Sequence, residues 1–236
     1  MPSPLPSAPI FGSVLCGTDN GPSGVAARRQ AAWLAGADGA LTHVPTAALT
    51  RHGWDALEEL CARHDLIVLG ADPAAHHVVE HARIPVLQAR WCPGGLDVTD
   101  NILVAVSDAG DSLGAADLAG RIAARHRGSV SLVVAPGRDP SLARGVAASG
   151  RILLRATGAA PRVLGDLAPP ELNVPATAMD IGATLLMMGI PAGTAGRRLA
   201  VDLARRSGCS ALTVPAHAPV LRRFARSRSG AVLVPA

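Results

Sequence analysis

The stretch that most constrains the fold of this chain occurs twice. Near the middle, Asn101-Ile102-Leu103-Val104-Ala105-Val106-Ser107 sets an unbroken apolar run between polar residues and then enters a small polar turn. A short apolar run bounded by turn residues suits a strand covered on both faces, the usual condition of a parallel sheet. The same phrase opens the chain as Val14-Leu15-Cys16-Gly17-Thr18-Asp19. A helix-like segment follows each copy. Open α/β sheets bind ligands beyond the carboxyl ends of their strands, so recognition is expected near Ser107 and near Asp19.

The segments between and after these two copies keep the same rhythm. In the first half, Val25 to Ala35 reads as a helix with Arg28 and Arg29 outward and Trp33 and Leu34 inward, and Ala40 to Val44 as a second strand. Pro45 to His52 reads as a connection, and Trp54 to His64 as a helix. Leu66 to Gly70 is a buried strand, Asp72-Pro73 signals a helix start, and Ile84 to Ala89 closes the half as a strand. The second half runs strand 102–106, helix 113–126, strand 130–134, helix 142–155, strand 161–164, a break at Pro169-Pro170, a short helix 174–181, strand 184–189, helix 197–206 and strand 210–214. Alternation of this kind implies parallel sheets joined by right-handed crossovers. The first half carries one strand fewer, because 45–53 is too short for both a helix and a strand. The expected boundaries are a loose arm over 1–12, a reduced domain over 13–92, a linker over 93–100, a fuller domain over 101–216 and a basic tail over 217–236.

Composition narrows the chemistry. No lysine occurs among the 22 basic residues, so a Walker A loop, a Schiff-base lysine and a kinase-type catalytic lysine are excluded. Aromatics make up 2% of the chain, which leaves Ala, Val, Leu and Ile to build the cores. Cys16, Cys61, Cys92 and Cys209 lie far apart without a C-x-x-C pair, the pattern of buried reduced thiols in a cytoplasmic protein. No apolar run is long enough to span a bilayer, and no signal-peptide pattern opens the chain, so membrane insertion is not expected.

Taken in order within two halves, the strand-and-turn of 101–107, Leu41-Thr42-His43-Val44, Asp65 to Gly70, Ile84-Pro85-Val86-Leu87 and Cys209 to Val214 resemble the universal stress protein family in its tandem form. The likeness covers 13–90 and 101–216. It implies an α/β fold of two tandem Rossmann-like domains, the first reduced. Nucleotide-binding members of that family set an acidic residue after strand one against the adenosine and use a glycine-rich stretch after strand four to cradle phosphates. By that resemblance Asp19, Val44 and Gly70 would hold ATP or another adenine nucleotide. Backbone N–H groups freed by glycines near a helix start bind anions without lysine. The family pattern is glycine, two residues, glycine, nine residues, glycine, then serine or threonine. Here Pro73 and Ala192 stand at its second glycine, and Ser107 stands where the second half would carry its acid, with Asp108 one place late. Gly193-Thr194-Ala195-Gly196 with Arg206-Ser207 matches in spacing only.

Other motifs have structural readings. His77-Val78-Val79-Glu80-His81 spells the H-x-x-E-H of inverted zinc peptidases, but on a short helix with no third ligand in view; an exposed polar helix is the expectation, with no metal site. Ser23 lies one residue short of a nucleophile elbow and reads as a helix cap. The tail carries Arg222, Arg223, Arg226 and Arg228, a surface for an acidic partner, a membrane or nucleic acid; docking of Val232-Leu233-Val234 on a sheet edge ranks above nucleic-acid binding.

The function expected is a non-catalytic stress-response regulatory or interaction module, with no catalytic residue and no resident cofactor. Its halves pair through sheet edges, a homodimer extends the same pairing, and a protein partner receives its signal. The alternative is an adenine-nucleotide switch using the first-half pocket. A hydrolase ranks last.

Overall fold

The computed structural model of the chain describes residues 9–51, 53–92, 94, 96–107, 111–134, 140–165, 169–191, 194–216 and 218. The first half runs β1 (Ser13–Thr18), α1 (Pro22–Ala35), β2 (Ala40–Pro45), α2 (Thr46–Arg51), α3 (Gly53–Arg63), β3 (Leu66–Gly70), α4 (Pro73–His81) and β4 (Val86–Ala89). The second runs β5 (Asn101–Val106), α5 (Asp111–His126), β6 (Ser129–Val134), α6 (Pro140–Thr157), β7 (Arg162–Gly165), α7 (Pro170–Asp180), β8 (Leu185–Ile190), α8 (Thr194–Arg206) and β9 (Ser210–Pro215). The α/β expectation holds, and the parallel strands of the two halves join edge to edge. All nine strands of the described residues join one sheet in the order β2-β1-β3-β4-β9-β8-β5-β6-β7. Within each half every pair is parallel; the halves meet where β4 runs antiparallel to β9, with Leu87 opposite Leu212. The carboxyl ends of the two sets of strands therefore face opposite edges of the sheet.

Side chains alternate along each strand and feed two apolar layers. Val14, Cys16, Leu66, Ile102 and Val104 face a layer shared with α1, α5 and Leu153 of α6. Leu15, Ile67, Leu69, Leu103 and Leu186 face the other, shared with α2, α3, α4, α7 and α8. Burial on both sides explains the uninterrupted apolar runs. Small alanines on α1 and α5 let these helices lie close to the sheet. Trp33 is 41% exposed rather than inward, and its Nε1 donates to Thr99 Oγ1 at 3.1 Å.

Several local expectations are corrected. Residues 45–52 are more than a connection: α2 forms there, and Leu49 is buried. The helix expected over 174–181 starts earlier, at Pro170, inside the expected break, because proline at the first helical position has its φ preset and loses no bond; it ends at Asp180 and carries Pro175 in its second turn. The arm is not loose up to residue 12. Phe11 is fully buried, and the Gly12 and Ser13 amides donate to the Asp65 carboxylate at 2.9 and 3.2 Å. The rest of the arm (1–8), Asp108, Ala192, Gly193 and the tail, apart from residue 218, lie outside the described residues. Among the described residues no helix is long and apolar enough to cross a membrane.

Candidate functional site

In the first half the three candidate residues converge on the carboxyl ends of β1, β2 and β3. Thr18 Oγ1 donates to the Val44 carbonyl at 3.1 Å, tying β1 to β2. Val44 is half-buried against the second apolar layer. Asp19 Oδ1 accepts from the amides of Gly21 and Gly24 at 2.8 and 3.2 Å, so the carboxylate closes the start of α1. Those are the donors an incoming anion would need. Arg28, expected outward, is half-buried, and its guanidinium donates to the Asp19 carbonyl at 3.0 Å. Ser23 is not the cap: α1 begins at Pro22, and the position before it is Gly21, which makes no side-chain cap bond. The cap is Asp19, further upstream, reaching forward over the turn.

Gly70 and Gly17 are glycines because neighbours occupy the space of a side chain. A Cβ on Gly70 would stand 2.7 Å from the Ser23 Cβ. On Gly17 it would stand 2.2 Å from Leu69 Cδ2, 3.1 Å from Leu49 Cδ1 and 3.3 Å from Thr46 Oγ1. The crevice between the tips of β1 and β3 is thus filled from within by Leu69 and by α2. The Thr46 hydroxyl is buried there without a hydrogen-bond partner.

The second half differs at the equivalent place. Register makes Ala105 the counterpart of Gly17, and Met188 that of Leu69. Between the tips of β5 and β8 and the helices α7 and α8 lies a cavity of about 200 Å³. Its walls include Ala105, Met188, Val174, Leu199, Ala200 and Leu203, with Ser107 at its polar end. The Ser107 amide donates to Ser112 Oγ at 2.9 Å, and the two hydroxyls are 3.0 Å apart, so Ser112 closes this turn as Asp19 closes the other. Gly189 also lines the cavity, and Gly196 lies against Pro191, whose Cγ a Cβ would approach to 2.4 Å. Ser207, the spacing match to the phosphate pattern, is buried at the far end of α8 and donates to the Ala204 carbonyl at 3.1 Å. Over thirteen residues that end is ~20 Å from the start of the helix. Sequence reasoning located Ser107 and Gly189 but missed Leu49, Val174 and Ala200. Only the apolar spacing of these helices hinted at them.

The rings of His77 and His81 are tilted by 44° with centres 5.0 Å apart, and His81 Nδ1 lies 2.9 Å from the His77 carbonyl. Among the described residues no three His, Cys, Asp or Glu side chains are grouped to hold a metal. The four cysteines are free thiols, and burial pushes the Cys16 thiol up to about 11, far from reactive thiolate.

No protein-family model matches the sequence, and no curated protein matches it. Solved structures do. A putative universal stress protein from Pseudomonas aeruginosa UCBPP-PA14 aligns over 93% of this chain and 98% of its own, at 17% identity and a TM-score of 0.62. A universal stress protein from Archaeoglobus fulgidus DSM 4304 aligns over 75% of this chain and 67% of its own, at 16% identity and a TM-score of 0.55. The cytoplasmic domain of a prokaryotic cation chloride cotransporter aligns over 89% and 86%, at 13% identity and 0.52. The chain has the universal stress protein fold.

Proposed function

We propose that the chain acts as a stress-response protein of the universal stress type: a non-catalytic regulatory or interaction module whose family-type nucleotide site is lost. The observation that supports this most directly is the Asp19 carboxylate, which takes up the amides of Gly21 and Gly24 at the start of α1. A phosphate or ribose group approaching there would have to displace a cap that contributes ~1 kcal/mol to the helix. Ser23 packs on Gly70, and Leu69 and Leu49 pack over Gly17, so side chains of the chain itself occupy the space at these glycines. In the second half Ser107 stands at the acid's position, and none of the described residues lining the cavity is charged.

In this reading the module signals through its surface. Val163 on β7 is 53% exposed and Leu172 on α7 is 59% exposed, so the outer edge of the second half offers apolar area to a protein partner or a second copy. Equilibrium dialysis of the purified chain against ATP, ADP and AMP tests the loss of the site. No saturable binding in the micromolar range is expected. Saturable micromolar binding abolished in Asp19→Ala would establish the alternative, an adenine-nucleotide switch in the first half.

A further inference from the structure

We infer that the cavity between the tips of β5 and β8 is a binding site for a small uncharged apolar molecule, a hydrocarbon-like ligand of about the size of an alkylbenzene. The assignment goes beyond the regulatory reading and does not depend on it. Three features of the cavity carry it.

The first is its chemistry. The walls are aliphatic and thioether groups from Ala105, Met188, Val174, Leu199, Ala200 and Leu203, and none of the described residues lining it is charged. The nearby Arg197 points elsewhere, donating to the carbonyls of Val79 and Ala82 at 3.0 and 3.1 Å. A charged group reaching the inner walls would meet no charged partner among these described residues, which is unfavourable. Among the described residues lining it, the one side-chain hydroxyl, on Ser107, is already bonded to Ser112. Water is held in a cavity only where two to four polar partners surround it, whereas apolar cavities of about 150 Å³ stay dry and admit benzene or xenon.

The second is its size. At about 200 Å³ the space exceeds that of a benzene site and falls short of the ~300 Å³ at which pockets for drug-sized ligands begin. A monocyclic aromatic with a short alkyl arm fits, and a nucleotide does not.

The third is the comparison built into the chain. The same place in the first half is filled by Leu69, Leu49 and Thr46. Close packing is therefore attainable on this scaffold, and the second half has Ala105, Met188 and Ala200 around open space where the first has leucines in contact.

The test uses the full chain and ethylbenzene, followed by the methionine methyl signals and by calorimetry. Of the four methionines, Met188 lines the cavity, Met187 faces the opposite layer and Met179 is 64% exposed. Ethylbenzene is expected to shift the Met188 methyl saturably, to leave Met179 in place, and to give one site per chain. Ala200→Phe, which fills the space, is expected to weaken binding by at least about tenfold, a difference of ~1.4 kcal/mol, while the fold is retained. Leu49→Ala, which empties the first-half crevice, is expected to add a second site. Absence of a saturable Met188 shift, or an equal shift at Met179, overturns the assignment whether or not Ala200→Phe folds. ATP displacing ethylbenzene from Met188 would overturn both this assignment and the lost-nucleotide reading, whereas failure of ethylbenzene to bind overturns this one alone.

Discussion

Asp19 sits where a ligand-binding acid belongs by resemblance and performs a helix-capping task. Its Oδ1 satisfies two amides that no intrahelical carbonyl can reach, and α1 has no acidic residue in its first turn to substitute for it. Asp19→Ala should therefore lower unfolding free energy by ~0.5–2 kcal/mol in urea titration, without altering nucleotide retention in dialysis. A second residue, His126, links stability to pH. Its ring packs against Trp33, tilted by 33° with centres 5.2 Å apart, and its buried Nε2 has no hydrogen-bond partner. Burial first, then the Arg125 charge, lowers its pKa from the ordinary 6.5, with Asp97 opposing. The unfolded chain then binds the proton more readily than the folded one. Stability from this group is full above about 6.5 and is lost as pH falls below it, the loss levelling off once pH passes the depressed folded value. His126→Phe keeps the ring contact and should flatten that part of the stability-versus-pH curve. An unchanged slope between pH 7 and 5 would assign the dependence to other groups.

At the scale of elements, α2 decides what the first half can bind. It is a six-residue helix, too short to be stable alone, and it persists because Leu49 packs between β1 and β3 against Leu69. Leu49→Ala should cost ~2–5 kcal/mol by emptying a well-packed site, measured by chemical denaturation; a loss well under 1 kcal/mol would mean that α2 does not fill the crevice. α8 and α4 show the reverse relation, an element of one half completing an element of the other. Arg197 near the start of α8 donates to the Val79 and Ala82 carbonyls at the end of α4, groups that helix geometry leaves unpaired.

For the whole molecule, the seam between the halves is made of backbone ladder, buried polar bonds and apolar contact together. Gln88 faces Ala211 across the antiparallel pair. Beside it the Ser210 hydroxyl accepts from the Arg90 amide at 3.0 Å and donates to Gln30 Oε1 at 3.0 Å, while Gln30 Nε2 donates to the Arg90 carbonyl at 2.6 Å. Trp33, bonded to Thr99 and packed against His126, adds a further contact. Cleavage at a protease site placed at Gly94, an exposed position with φ of 69° and nothing within 4 Å of an added side chain, should leave one particle in size-exclusion chromatography. Separation into two folded species without denaturant would show that the seam does not hold the halves.

The sequence by itself determined the strands and their grouping. Ile102 to Val106, Leu66 to Gly70 and Ser210 to Val214 announce themselves through local apolar runs, and the missing strand of the first half follows from the shortness of 45–53. The positions of Asp19, Val44 and Gly70 at neighbouring strand ends also follow from the repeat. Tertiary structure alone decided the rest. The β4–β9 pairing joins residues more than a hundred positions apart, and nothing in either strand states its partner or direction. Whether a crevice is open depends on side chains from separate elements meeting at one point: Leu49 and Leu69 over Gly17 in the first half, and Ala105, Met188 and Ala200 around open space in the second. Periodicity reports which face of an element is apolar. It does not report how completely two such faces fill the volume between them, and that volume separates a closed half from one that can receive a ligand.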